Sequence, residues 1–148
     1  MSPSLNPIMR SLRVLTMMAS LAMLAVTTAR ADSDTPLEKQ MQILARGMRQ
    51  LSTGIADPAK QQENIALLES LRKAVADSKS LDPQKIATVK PADRDAFLEA
   101  YRNELDKLAQ IFTDSEAALK AGSYDQAKSL LNGVAPVKKE GHSRFKQD

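Results

Sequence analysis

Thr35–Leu51 reads TPLEKQMQILARGMRQL. Thr35 followed three residues later by Glu38 is a capping box, and Pro36 stands at the first helical position, where its missing N–H costs nothing. Leu37, Met41, Leu44, Met48 and Leu51 then recur at steps of four and three, which gathers apolar side chains on one face of an α-helix. Ser52-Thr53-Gly54 ends the segment.

The same pattern repeats outward along the chain. Asp57-Pro58 starts a second helix striped by Ile65, Leu68, Leu71 and Val75. Ser78 to Lys90 is a connection holding Pro83, and Pro91 opens a third helix striped by Phe97, Tyr101, Leu105, Leu108 and Phe112. Gly122 is its stop signal. Ser123-Tyr124-Asp125-Gln126 reads as a second capping box, and the fourth helix carries Tyr124, Ala127, Leu131, Val134, Lys138, His142 and Phe145 along one seam. Strand signals are missing, since no β-branched residues alternate and no hairpin turn joins two such runs. The fold class is all-α, an up-down-up-down antiparallel four-helix bundle. Gly133, Pro136 and Gly141 weaken the fourth helix, which predicts a break near Gly133–Pro136 with helix resuming to Lys146.

Residues 1–31 precede this domain and read as a cleaved signal peptide. Arg10 and Arg13 lie before a 13-residue apolar run, Val14 to Val26, and Ala29-Arg30-Ala31 is an A-x-A cleavage signal. The run is short for a spanning helix, although an uncleaved anchor is the alternative. Cleavage after Ala31 leaves a mature domain at 32–148, 117 residues long, exported and, in a Gram-negative host, periplasmic. No membrane insertion is expected after cleavage.

The 148-residue chain has 21 Lys and Arg against 18 Asp and Glu. Three of the basic residues (Arg10, Arg13, Arg30) leave with the leader, so the mature chain is balanced at 18 of each. That argues against nucleic acid as a partner, because displacing counterions from phosphates needs surplus positive charge. It also marks no steering surface for a redox partner, whose identity the sequence does not give; a monomer is expected. Cysteine is absent, which excludes disulfides, thiolate metal sites, thiol catalysis and covalent haem attachment through CxxCH. A single histidine, His142, excludes a multi-His centre. No HExxH, Gly-rich phosphate loop or nucleophile–base pair occurs, and no acidic residue falls on a predicted core stripe, so the chain does not read as an enzyme.

The polar residues on the fourth stripe carry the functional information. Lys138 and His142 stand where a bundle wants leucine, and burying either without a partner is costly. Either something at that end wants them or that end is open to water. Met41 lies six residues after Thr35 and His142 six before Asp148, so in an antiparallel bundle each sits roughly 9 Å from the same end. Phe97 and Tyr101, six and ten residues past Pro91, come to that end as well, as does the long second connection. One thioether and one imidazole facing each other suit the axial positions of a haem iron; a thioether raises the reduction potential. With both axial positions filled the chemistry is outer-sphere electron transfer, and without cysteine the haem is b-type and non-covalent. Each residue also has an ordinary role: methionine fills cores, a histidine near a C-terminus is commonly solvated, and Lys138 and Lys146 suit the dipole of a helix end.

The stretch from Leu37 to Lys146 resembles the soluble periplasmic cytochrome b562 family. That family opens with Leu-Glu-x-x-Met-x-x-Leu, matched by Leu37, Glu38, Met41 and Leu44. Its third helix places two aromatics one turn apart, matched by Phe97 and Tyr101, with Tyr for Phe. Its last helix follows a Gly turn with a basic residue, the axial His four positions on and then an aromatic, matched by Gly122, Lys138, His142 and Phe145. The resemblance implies one non-covalent haem b with Met41 and His142 as axial ligands. It also implies a pocket lined by Leu37, Leu44, Phe97 and Tyr101, and propionates met by Lys138 and Lys146. Lys138 stands where the family commonly has Arg, and lacks its planar fork. Two alternatives remain: a copper site using Met41, Met48 and His142, since thioethers suit Cu(I), and a haemless interaction module.

Overall fold

Thr35 caps the first helix by the reciprocal pair its sequence calls for. The Glu38 N–H donates to the Thr35 hydroxyl at 3.2 Å and the Thr35 N–H donates to the Glu38 carboxylate at 2.7 Å. The structure, a computed structural model, describes residues 34–147; the expected leader at 1–31 lies outside the described residues. Helix α1 is Pro36–Gly54, α2 Gln61–Ser78, α3 Arg94–Lys120, α4 Tyr124–Leu131 and α5 Val134–Phe145. Short 3-10 turns at Pro58–Lys60, Gln84–Thr88 and Pro91–Asp93 fill the connections. Among the described residues there is no strand, and none of the helices is long and apolar enough to cross a membrane.

The expected stripes form the core. Leu51, Leu68, Leu71, Val75, Phe112 and Leu119 are essentially solvent-free, and each fully buried side chain of this size contributes about 1.5–3 kcal/mol of transfer free energy. Gly47 lets α1 approach α2 closely: a Cβ there would stand 2.5 Å from Leu71 Cδ2. Gly122, at φ +73°, ends α3. Its N–H donates to the Leu119 carbonyl at 2.9 Å and the Ser123 N–H to the Ala118 carbonyl at 2.8 Å, the paired bonds of a Schellman turn. At that same end of the bundle, the Gly54 carbonyl at the end of α1 accepts both the Asn64 side-chain amide at 2.9 Å and the Asp57 N–H at 3.0 Å, so a helix-terminal acceptor is satisfied.

Three expectations change in detail. The capping box at Ser123 does not form, since its side chain makes no cap hydrogen bond. Ser123 is held by the Schellman turn at ψ 67°, against 158° at Thr35, so its hydroxyl is not aimed at the first-turn amides. The fourth helix is interrupted as expected, by a turn at Asn132-Gly133, but Pro136 is not what breaks it. Pro136 is the third residue of α5, where an N–H would have no intrahelical acceptor anyway. Helix α5 ends at Phe145, and Lys146 caps it with an N–H to the His142 carbonyl at 3.1 Å.

Packing around the bundle is uneven. Helix α1 lies along α2, α2 along α3, and α3 supports both α4 and α5; α1 and α5 make hardly any close backbone approach. The bundle therefore has a seam between its first and last helices.

Candidate functional site

Helical geometry decides what borders that seam. At 100° per residue, Met41 lies about 120° and Met48 about 100° round α1 from Gly47, on the flank turned away from α2. Both are half-buried. On α5, Arg144 reaches α3, its guanidinium 3.5 Å from the Glu104 carboxylate. Phe145, the buried residue of that turn, packs against Phe97 and Tyr101 of α3, and Lys138 and His142 lie about 20° and 60° round α5 from it, at the rim of the side that meets α3. One thioether and one imidazole thus lie on the two helices that flank the seam, toward one end.

The connection between α2 and α3 straps that end. The Gln84 side-chain amide donates to Glu38 of α1 at 3.0 Å, and its oxygen accepts the Gln147 N–H at 3.2 Å. The neighbouring Lys85 ammonium donates to the Ser143 carbonyl of α5 at 2.8 Å. Glu38 is held below the usual carboxylate range by the Thr35 backbone and hydroxyl, with Gln84 and Lys146 adding to this. Gln84 thus brings Glu38 of α1 and Gln147, two residues past the end of α5, to one side chain.

Aromatic rings form the floor. Phe145 stands edge-on to Phe97 at 5.2 Å between ring centroids and to Tyr101 at 5.4 Å, the arrangement favoured by ring quadrupoles. Arg144 lies over the same ring at 5.0 Å. Tyr101 is buried and donates its hydroxyl proton to the Ser78 carbonyl at 3.0 Å. Burial, then the nearby Asp82, pushes its pKa up to about 12, so the phenol stays neutral and fixed.

The sequence-predicted residues divide by exposure. Leu44 and Tyr101 are buried and Leu37, Met41 and Phe97 half-buried, all packed in or against the core, while Lys138, His142 and Lys146 are exposed. Lys138 and His142 stand on the side of α5 that also carries buried Val134 and Phe145, and both are exposed, so of the two outcomes expected for them it is the one in which that end of the bundle is open to water. His142 still feels its surroundings. Partial desolvation of the ring, then repulsion from Lys138 and Lys146, holds its pKa below the ordinary value. A neutral imidazole is the form that ligates metal.

The sequence reading missed two buried carboxylates, contrary to its expectation that none would fall on a core stripe. Glu116 pairs with Arg72 of α2 at 2.8 Å and with Lys120. Glu104 pairs with Lys107 at 2.6 Å as well as with Arg144, while its second oxygen, Oε2, is buried without a partner. The signal was present as cations at helical spacing: Lys107 three residues after Glu104 and Lys120 four after Glu116. Grooves of about 590 Å³ and 420 Å³ lie between α2 and α3 and between α3 and α4, and neither is bordered by Met41 or His142.

The donor set was tested against what it can hold. Among the described residues no three His, Asp or Glu side chains cluster as ligands for a bare ion. A thioether on α1 and an imidazole on α5 are two donors at most, a set that would suit a metal whose other ligands come with it in a planar macrocycle. Comparison with protein families gives the same direction: the family model for cytochrome b562 matches residues 36–146. The chain belongs to the cytochrome b562 family. The match spans all five helices and both sides of the seam. Members of the cytochrome b562 family are haem-binding helical bundles that carry electrons, with haem of the b type. No curated protein and no solved structure matches the chain.

Proposed function

We propose that the chain carries single electrons through one non-covalently bound haem b seated in the α1/α5 seam. The observation that supports this reading is the loosely packed seam between α1 and α5, the helices that carry Met41 and His142, with Gln84 strapping their ends together. Met41 would hold the iron through its thioether and His142 through its imidazole. Lys138 and Lys146, on the His142 flank, would meet the propionates. Phe97 and Phe145, with Tyr101 beneath, would wall the macrocycle, and Leu37 and Leu44 continue that apolar lining along α1. When bound, the haem supplies a one-electron iron couple. With Met41 and His142 both holding the iron, the chain would leave substrate no place on the metal, and its part would be electron exchange rather than turnover. Export to the periplasm through the 1–31 leader, and a monomeric state, complete the proposal.

The test is an absorption spectrum of the purified protein after haem addition, oxidised and then dithionite-reduced. Sharp low-spin α and β bands on reduction, lost in Met41→Ala and in His142→Ala, support the reading. Failure to take up haem, or uptake with a broad spectrum indifferent to both substitutions, overturns it.

A further inference from the structure

Glu104 is buried where α3 meets α5. Its side chain is 8% exposed, and of its two oxygens only Oε1 has partners. One of these is Lys107 on the same helix, at 2.6 Å. That pairing needs no burial, since residues three apart meet on the open face of any helix. The other is Arg144 of α5 at 3.5 Å, and it is available only because Glu104 faces α5. A buried carboxylate with one oxygen unpartnered is no gain in stability, so stability does not account for its place.

What the pair holds is the rotation of α5. The two buried residues of that helix, Val134 and Phe145, lie within about 20° of each other round its axis. They seat α5 along a line, and a helix seated along a line can rock about it. The strap from Gln84 and Lys85 meets only backbone, at Gln147 and Ser143. Arg144 is the side chain off the line, about 100° round α5 from Phe145. Its bond to Glu104 is, among the described residues, the only polar contact that α5 makes with another α-helix. The guanidinium is seated on three sides, by Glu104, by Glu140 at 3.8 Å and by the Phe145 ring at 5.0 Å. His142 lies about 60° from Phe145 on the opposite flank, so a rock that frees Arg144 swings His142 as well. A helix with its side chains has a radius of about 5–6 Å, so about 20° of rocking moves the imidazole by about 2 Å. A ligand has to be held within about 0.5 Å.

We infer that Glu104, acting through Arg144, is a positioning residue for His142: the ion pair fixes the roll of α5 and with it the direction of the imidazole. The inference rests on the haem reading for what that direction serves, and on the packing of α3 against α5 for the rest. Setting registry rather than adding stability is the best-attested use of a buried ion pair.

Glu104→Leu removes the link while filling much the same space, and the purified protein is read first without and then with haem. Without haem, amide hydrogen exchange over 140–145 should quicken several-fold, while α1 to α4 keep the parent's rates and the melting temperature does not fall. With haem, the oxidised spectrum should show several-fold more high-spin iron, because a ligand that swings beyond its tolerance leaves the metal part of the time. Arg144→Ala should show the same change, and the double variant no more than either single one, since both remove one link. Lys107→Ala, which removes only the partner on α3 itself, should match the parent. A residue that served stability alone would lower the melting temperature and the low-spin fraction together. Unchanged exchange in Glu104→Leu overturns the inference, as does quickened exchange with an unaltered spectrum. So do additive effects in the double variant, or an equal effect in Lys107→Ala. If the parent takes up no haem, the haem reading fails by itself, and exchange in the haem-free variants decides whether Glu104 fixes the roll of α5.

Discussion

Gln84 donates a hydrogen bond to Glu38 at 3.0 Å, joining positions 46 residues apart in the chain. Gln84 also accepts from Gln147, so one side chain touches the start of α1 and the residue beyond α5. These are the ends that carry Met41 and His142. Where helices pack poorly, such a cross-link sets their separation.

Gln84→Ala should therefore loosen the seam with little effect on the fold. Haem transfer from the loaded protein to apomyoglobin should speed up several-fold while helicity stays unchanged. Gln84→Glu should be worse, because it sets a second carboxylate against Glu38, and like charges in contact repel.

Met48 shares Met41's flank but lies seven residues on, about 10 Å deeper along the helix. Met48→Leu should leave the reduced haem spectrum unaltered. A Cu(I) titration of the same variant checks the rival reading, in which Met48 is a ligand and its loss weakens copper binding sharply.

Glu104 holds a buried carboxylate oxygen with no partner. Replacing such a group by a hydrophobic residue of similar size is often neutral or favourable. Glu104→Leu is expected to raise the melting temperature of the haem-free protein by a few degrees, on the order of 1 kcal/mol in stability. Its loss of Arg144 as a partner costs little, because Arg144 remains exposed and paired with Glu140 at 3.8 Å.

Glu116 is the other buried carboxylate, and there the pairing is complete. Its hydrogen bond to Lys120, then that to Arg72, holds its pKa below the ordinary 4.5 against the opposing effect of burial. A carboxylate with a depressed folded-state pKa contributes stability that is present above the unfolded value and lost as pH falls through the folded one. Urea melts should show stability falling as the pH drops below about 4.5, and Glu116→Gln should reduce that slope while lowering stability at neutral pH.

Much of this protein is legible in its sequence because caps and stripes act locally. Thr35, Glu38, Pro36 and Gly122 mark helix ends through bonds to their own neighbours, and the leucine stripes need only a partner face. Met41, Phe97 and Tyr101 could be brought to one end by counting residues, since helical rise is constant. What escaped was set by rotation and by pairing. The buried stripe of α4 runs on past Asn132-Gly133 to Val134 and Phe145, so periodicity put Lys138 and His142 on the core side without telling that the end there is open to water. The burial of Glu104 and Glu116 depends on Arg144 and Arg72, cations from other helices whose approach only the packing determines.

The turn at Asn132-Gly133 has a consequence for how the protein can change. Helix α4 is anchored by Ala127 and Leu131 in the core, and α5 starts afresh after the turn. Yet Val134 and Phe145 pin α5 to the same core at both of its ends, so an altered turn moves His142 only by displacing those anchors. The aim of that one side chain is inherited from the frame, and selection can retune it through the turn only together with the rings that wall it.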